Sequence, residues 1–186
     1  MDAIELLINR SSQGKLQDPA PDEETLRLCF AAAVRAPDHA NLRPWKFQLI
    51  AGEARRSLGQ ALRDSLASRA PESSEEELQK AAQKSLRAPL IIVVSACTRH
   101  HPKVPGVEQL LSAGAAAQSI LLVLQARGFG GIWRTGPAAY DRALHRRLGL
   151  GENESIVAFI YAGTPAADPP PIVRPDPSVH VEHWEG

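Results

Sequence analysis

Apolar residues along this chain switch repeatedly between helical and strand-like spacing, and the switches divide it into predicted elements. Ile4, Leu6 and Leu7 form an apolar face behind Asp2, which with Glu5 resembles a capping box, so a short helix is expected to run to about Asn9. Asp22 is a good N-cap, with Glu23 and Glu24 in the first turn where the helix dipole favours acids. Leu26, Cys29, Phe30 and Ala33 then recur at helical spacing, and Pro37 ends that helix near Arg35-Ala36. Trp45, Phe47 and Leu49 alternate with Lys46 and Gln48, which predicts a strand with one face buried.

Helical spacing returns over Glu53 to Ala67 through Leu58, Ala61, Leu62 and Leu66. Ser68 to Ser74 is polar, the expected place for mobility, and a further helix follows from about Glu75 to Leu86. Leu90 to Ser95 is apolar without alternation, as in a central strand covered on both faces. Val107 to Arg127 reads as a long helix whose small residues Ala113 to Ala117 let another helix or a flat ring come close. Its most apolar run, Leu110 to Ala126, is shorter than the ~20 residues of a membrane span and carries Ser112, Gln118, Ser119 and Gln125, so burial on most sides is expected. Gly128 terminates it, Ile132 and Trp133 start a strand, and Tyr140, Leu144 and Leu148 mark one more helix. Ser155 to Ala162 is a further core strand. From Gly163 onward prolines dominate, including Pro169-Pro170-Pro171, and an extended arm is expected over 164–186. Ile172, Val173, Val179, Val181 and Trp184 give it apolar anchors, either across a neighbouring subunit or over its own domain.

Three stretches carry candidate chemistry. Gly128 to Gly136 places three glycines in four positions before Trp133, Arg134 and Thr135; it reads either as a helix cap and turn or as a cofactor site whose main-chain amides stay open to a planar ligand. Arg10-Ser11-Ser12-Gln13-Gly14-Lys15 offers a guanidinium, two hydroxyls and an ammonium, suited to a phosphate or equally to a solvated turn. Asp38 to Trp45 holds His39, Asn41 and Arg43 in a loop, where ligand contacts often lie. His100 and His101 have no companions at zinc-like spacing, so no metal is expected.

Composition narrows the partners. Lys and Arg total 21, as do Asp and Glu, so no nucleic acid or anionic membrane is implied and the partner is expected to be a small molecule. Cys29 and Cys97 stand far apart in apolar segments, as reduced buried thiols in a cytoplasmic protein do, and the acidic N-terminus lacks the basic region of a signal peptide. The length suits a single domain over 1–186, with 68–86 either a lid excursion over a site or a plain surface hairpin.

The order of these features resembles the nitroreductase family of flavin enzymes over nearly the whole chain. The resemblance rests on Met1-Asp2-Ala3 through Arg10, Arg35-Ala36-Pro37-Asp38-His39 with Pro44-Trp45, and Gly128 through Arg134, supported by Arg87 to Ile91, Lys103-Val104-Pro105 and Gly163-Thr164-Pro165. It implies an α+β domain with a mixed, mainly antiparallel sheet between helices, and a homodimer holding two FMN molecules at its interface. It also implies FMN contacts from Arg10, Ser11, Ser12, Arg35, His39, Trp133, Arg134 and Thr135, and NADH or NADPH contacts from Val123, Leu124, Gln125, Ala126, Arg127 and Gly128. Two positions depart from the family pattern: Ser11 stands where a second arginine is common and Lys15 where an arginine is usual, which weakens bidentate phosphate grip.

The implied activity is a two-step ping-pong reduction of a nitroaromatic, quinone or related acceptor by NAD(P)H, with no side-chain nucleophile or general base. Part of the acceptor pocket is implied between Arg69 and Gln83. A non-catalytic flavin-binding or interaction protein on the same fold is the alternative. A Rossmann-type dehydrogenase is set aside, because no GxGxxG follows a strand and opens a helix.

Overall fold

The computed structural model describes residues 2–169, 171–172 and 174–186, so the expectations that fell on Met1, Pro170 and Val173 lie outside the described residues. In chain order the elements are α1 (Ala3–Ile8), β1 (Leu16–Gln17), α2 (Glu23–Ala33), β2 (Trp45–Ala51), α3 (Ala54–Arg69), α4 (Glu75–Gln83), β3 (Leu90–Cys97), α5 (Gly106–Ala126), β4 (Gly130–Arg134), α6 (Arg142–Arg147) and β5 (Glu154–Pro165). Short 3-10 turns cover His39–Asn41, Lys84–Leu86, Pro137–Tyr140 and Pro177–His180.

The strands lie side by side as β2, β3, β5 and β4, and β1 continues past β4 along the end of β5. Every pairing among the described residues is antiparallel. The unbroken apolar run of β3 follows from its place between β2 and β5 with helices over both faces. Leu90, Ile92 and Val94 join Cys29 and Ala33 of α2 and Ala116, Ala117, Ile120 and Leu124 of α5 in one core. Ile91 and Val93 join Leu58 and Leu62 of α3 and Leu144 of α6 in the other. Ile91 and Ile92 are fully buried, worth about 1.5–3 kcal/mol each in transfer free energy.

Asp22 caps α2 as predicted by accepting from Thr25 N, and Asp2 caps α1 by accepting from Ile4 N, but the expected reciprocal bond to Glu5 is not formed among the described residues. A full capping box that the sequence reading did not single out links Ser74 and Glu77 at the start of α4. α4 packs tightly on α3, because Gly59 brings the helices so close that a Cβ there would lie 2.5 Å from Ala82 O.

Four expectations are corrected. The α1 face is not covered by its own chain: Ile4, Leu7 and Ile8 are exposed. Leu49, expected inward, is 49% exposed near the end of edge strand β2. Tyr140 lies in a 3-10 turn before α6 and points to solvent instead of marking a helical face. α5 is 21 residues, long and apolar enough by length and composition to cross a membrane, and only 44% of its most apolar window is buried, so it is not covered on most sides. One face of α5 is core, while Val107, Leu110 and Leu111 stand exposed on another.

Candidate active site

The start of the segment between α1 and β1 is anchored by one side-chain amide. Gln125, near the end of α5, accepts from Ser11 N through Oε1 and donates to Asn9 O through Nε2, each at 3.1 Å. A half-buried glutamine in an otherwise apolar helix thus satisfies two backbone groups of a loop, each bond worth roughly 0.5–1.5 kcal/mol. Farther on, Gln13 N donates to Gly131 O at 3.0 Å, so the loop runs along β4. Arg10 reaches Ser12 Oγ at 3.4 Å, and Gly14 lies so near Arg134 that a Cβ would sit 3.3 Å from its Nη2.

The glycines of β4 act differently from the expectation that they leave amides open to a ligand. A Cβ at Gly130 would lie 2.6 Å from Leu16 Cδ2, and one at Gly131 would lie 2.9 Å from Leu121 Cδ2. Both glycines are buried by their own chain and paired with β5, so they serve close packing of the loop and α5 against the strand. Alternation along β4 then sends Trp133 toward α5, where Nε1 donates to Val157 O at 3.1 Å, and Arg134 to the opposite face.

There the Arg134 guanidinium lies 6.0 Å from the centre of the Tyr161 ring, within cation–π range. Burial raises the Tyr161 pKa, while Arg134 and Arg87 pull it the other way. Arg134, Thr135, Gly136, Phe159 and Tyr161 form one wall of a cavity of about 500 Å³. Leu62, Leu66 and Arg69 of α3, Ala81 of α4, and Lys84 and Arg87 close the other side. The space falls in the range of small-molecule sites, with an apolar floor and a cationic rim.

Arg69 is held by a small polar network. Ser65, itself buried, donates to Asp141 Oδ2; Arg69 Nε lies 3.4 Å from Ser65 Oγ and 3.9 Å from the Asp141 carboxylate. Asp141 also caps α6 by accepting from Ala143 N at 2.8 Å. Burial pushes the Asp141 pKa up, but the Ser65 and Ala143 hydrogen bonds and the Arg69 charge outweigh it and hold the carboxyl below its ordinary value.

A second hollow of about 290 Å³ is lined by Ser12, Gln13, Gly14, Lys15, Ala167 and Asp168. Among the described residues, Arg10, Lys15, Lys84, Arg87 and Arg134 have no carboxylate within 4.0 Å. This donor set fits a phosphate beside a planar ring: uncommitted cations and hydroxyls on the loop, and an apolar cavity across Arg134.

The remaining candidates lie elsewhere in the chain. His39 Nδ1 is 2.7 Å from Glu108 Oε2 at the start of α5, whereas Ser11 is bound at its end. A helix rises ~1.5 Å per residue, which puts Glu108 and Gln125 roughly 25 Å apart along the axis. α2 runs antiparallel to α5, with Glu24 paired to Arg127 and Cys29 against Ile120, so Arg35 lies beyond its far end, away from Ser11. One chain therefore brings Arg10, Ser11, Ser12, Arg134 and Thr135 to one region and leaves Arg35 and His39 at another. Of the segment 123–128, Leu124 is fully buried and Gln125 is engaged by the loop, while Ala126, Arg127 and Gly128 face solvent.

Tyr161, Lys84 and the Ser65–Asp141 pair escaped sequence reasoning. Tyr161 sits in a run that reads as core, Lys84 on a helix that reads as surface, and Ser65 and Asp141 meet only through the packing of α3 against α6.

Comparison with known proteins matches residues 7–164 to a family model described as the Nitroreductase family. The chain is 40% identical over 186 residues to the Escherichia coli (strain K12) protein named "Putative NAD(P)H nitroreductase YdjA", covering 99% of this chain and 100% of that one. It superposes on a nitroreductase-like family protein from Bacillus cereus with a TM-score of 0.85 at 25% identity, over 100% of this chain and 97% of that one. It matches the FMN-dependent nitroreductase NfnB from Mycobacterium smegmatis, solved with NADPH, with a TM-score of 0.74 at 21% identity, over 98% of each chain, a likeness of fold.

Proposed function

The chain belongs to the nitroreductase family, and from that premise we propose that it is an FMN-dependent oxidoreductase, using NADH or NADPH to reduce nitroaromatic, quinone or related small acceptors in two ping-pong steps. The observation that carries the reading is the loop 10–15 laid along β4, which gathers uncommitted cations next to a cavity of cofactor size. The relatives support it by name: one is termed an NAD(P)H nitroreductase, and another is FMN-dependent and was solved with NADPH.

When bound, the flavin supplies the hydride-accepting and hydride-donating chemistry. Arg10, Ser11, Ser12 and Lys15 would hold its phosphate, with Lys15 acting as a point charge where a bidentate arginine would grip harder. Arg134 and Thr135, which line the cavity, would lie at the ring edge, Arg134 supplying fixed positive charge there. Leu62, Leu66 and Phe159 would keep water out of the cavity beside the ring, where an acceptor would lie. Among the solvent-facing residues at the end of α5, Arg127, which is paired with Glu24, is the cation of the nicotinamide segment.

Arg35 and His39 reach the same cofactor only from a second copy of the chain, because α5 separates them from Ser11 within one. A homodimer also gives a partner to apolar surface that one chain leaves bare: α1, the outer face of α5, and the arm, where Trp184 is 92% exposed. Such a dimer is the shared-interface enzyme, acting in the cytoplasm.

The test is spectroscopic. Purified protein should be yellow, carry about one FMN per chain, and bleach anaerobically on addition of NADH or NADPH. Protein without flavin that gains no flavin absorbance on adding FMN would overturn the proposal. Bound FMN that neither nicotinamide bleaches would make it a non-catalytic flavin binder instead.

A further inference from the structure

The cavity has more positive charge than a flavin phosphate calls for, and the excess lies on the side away from the phosphate loop. Arg69, Lys84, Arg87 and Arg134 all line it, and no acidic residue does. Asp141 reaches the cavity only through Arg69, at 3.9 Å. The glutamates of α4 are in its first turn, where Glu75 pairs with Arg63, Glu76 with Lys80, and Glu77 closes the capping box. Lys84, which opens the 3-10 turn between α4 and β3, and Arg87, which caps it, therefore face the cavity with no carboxylate partner among the described residues. Between these cations the floor is apolar, made by Leu62, Leu66, Phe159 and the Tyr161 ring. An apolar floor lowers the local dielectric and strengthens ion pairing at its rim.

Resting on the flavin reading above, we propose that the acceptor is an aromatic compound bearing an anionic group, a carboxylate or sulfonate, with Lys84 and Arg87 as its specificity-determining residues. The acceptor ring lies on the Leu62–Leu66 floor, and its anionic substituent points to the turn between α4 and β3. Arg10, Ser12 and Lys15, on the other side of Arg134, remain with the cofactor phosphate. The Ser65–Asp141 pair keeps Arg69 from collapsing onto that substituent and so leaves Lys84 and Arg87 to select it.

The experiment compares 4-nitrobenzoate with nitrobenzene in the flavin-loaded protein, the Lys84→Ala/Arg87→Ala double variant and the Lys84→Glu/Arg87→Glu charge reversal. Flavin content and anaerobic bleaching by NADH and NADPH are recorded for each, because their absence in the parent marks failure of the flavin reading itself. Calorimetric Kd and steady-state KM are then measured for both probes at low and high salt. The proposal expects the double alanine variant to raise Kd and KM for 4-nitrobenzoate about tenfold, the sum of two partly exposed ion pairs, with nitrobenzene unchanged. The charge reversal should invert the preference, and high salt should erase it in the parent. Equal values for the two probes in the parent, equal losses for both in the variant, or a rise confined to the KM of NADH or NADPH would overturn it. Loss of FMN from the double alanine variant would assign these cations to the cofactor and overturn it as well.

Discussion

At Gly163 and Gly131 the missing side chain does different things. A Cβ at Gly163 would lie 2.6 Å and 2.8 Å from the Pro89 ring and 2.9 Å from Gln17 O, a rigid ring and a backbone atom that cannot step aside. At Gly131 the nearest atoms are the ends of Leu121 and Leu124, which rotate. Urea unfolding should therefore show Gly163→Ala costing about 3 kcal/mol and Gly131→Ala about 1 kcal/mol, the two ends of the usual overpacking range. The glycines themselves were legible in the sequence, but their task was not, because Pro89 and Leu121 are remote along the chain. The thiols were legible in part: both are free, Cys29 is buried as expected, and Cys97 is only half-buried. Burial pushes each from 9.0 up to about 12, helped in Cys97 by the Glu154 carboxylate. Both should resist iodoacetamide at pH 8 until the protein is unfolded. A raised thiol pKa also means that the unfolded chain loses these protons first, so stability should fall as pH climbs from about 9 toward 12 in a urea series.

At the scale of elements, Asp141 joins two helices that the hydrophobic pattern treats separately. It caps α6, accepts from Ser65 of α3 and holds Arg69 at the cavity rim. Asp141→Ala should cost about 1–3 kcal/mol, combining a lost N-cap with an unsatisfied buried hydroxyl. Asp141→Asn keeps the cap and should cost less, while letting Arg69 move; thermal melts of the two variants separate the contributions. Period located α2, β2 and α3, whose 3.6 or 2.0 spacing is imprinted where one face meets a core, while the central strands β3 and β5 were located by unbroken apolar runs instead. It failed where the core side is absent: α1 and the outer face of α5 carry the same apolar spacing with nothing of their own chain against it. It also missed where β4 begins, because two buried glycines give no periodic signal.

For the whole molecule, the layered sheet and its two cores account for the fold, and the exposed apolar helices account for what one chain lacks. Leu111 is 66% exposed in the isolated chain, so Leu111→Glu should change monomer stability by less than about 0.5 kcal/mol. In the proposed dimer the same change buries a charge. Analytical ultracentrifugation should then show a monomer, and flavin absorbance should drop with it; a flavin-loaded dimer would count against the α5 interface. The polar cluster from Arg10 to Lys15 was visible in the sequence, and the separation of His39 from it was not, since only the antiparallel course of α2 along α5 sets that distance. In the proposed dimer, with the two halves of the cofactor site contributed from opposite ends of α5, pairing of chains and retention of cofactor would be one equilibrium. Dilution should strip FMN from the protein, and excess FMN should drive chains together by the same free energy. The flavin supply would then govern how much of the protein exists in its assembled form.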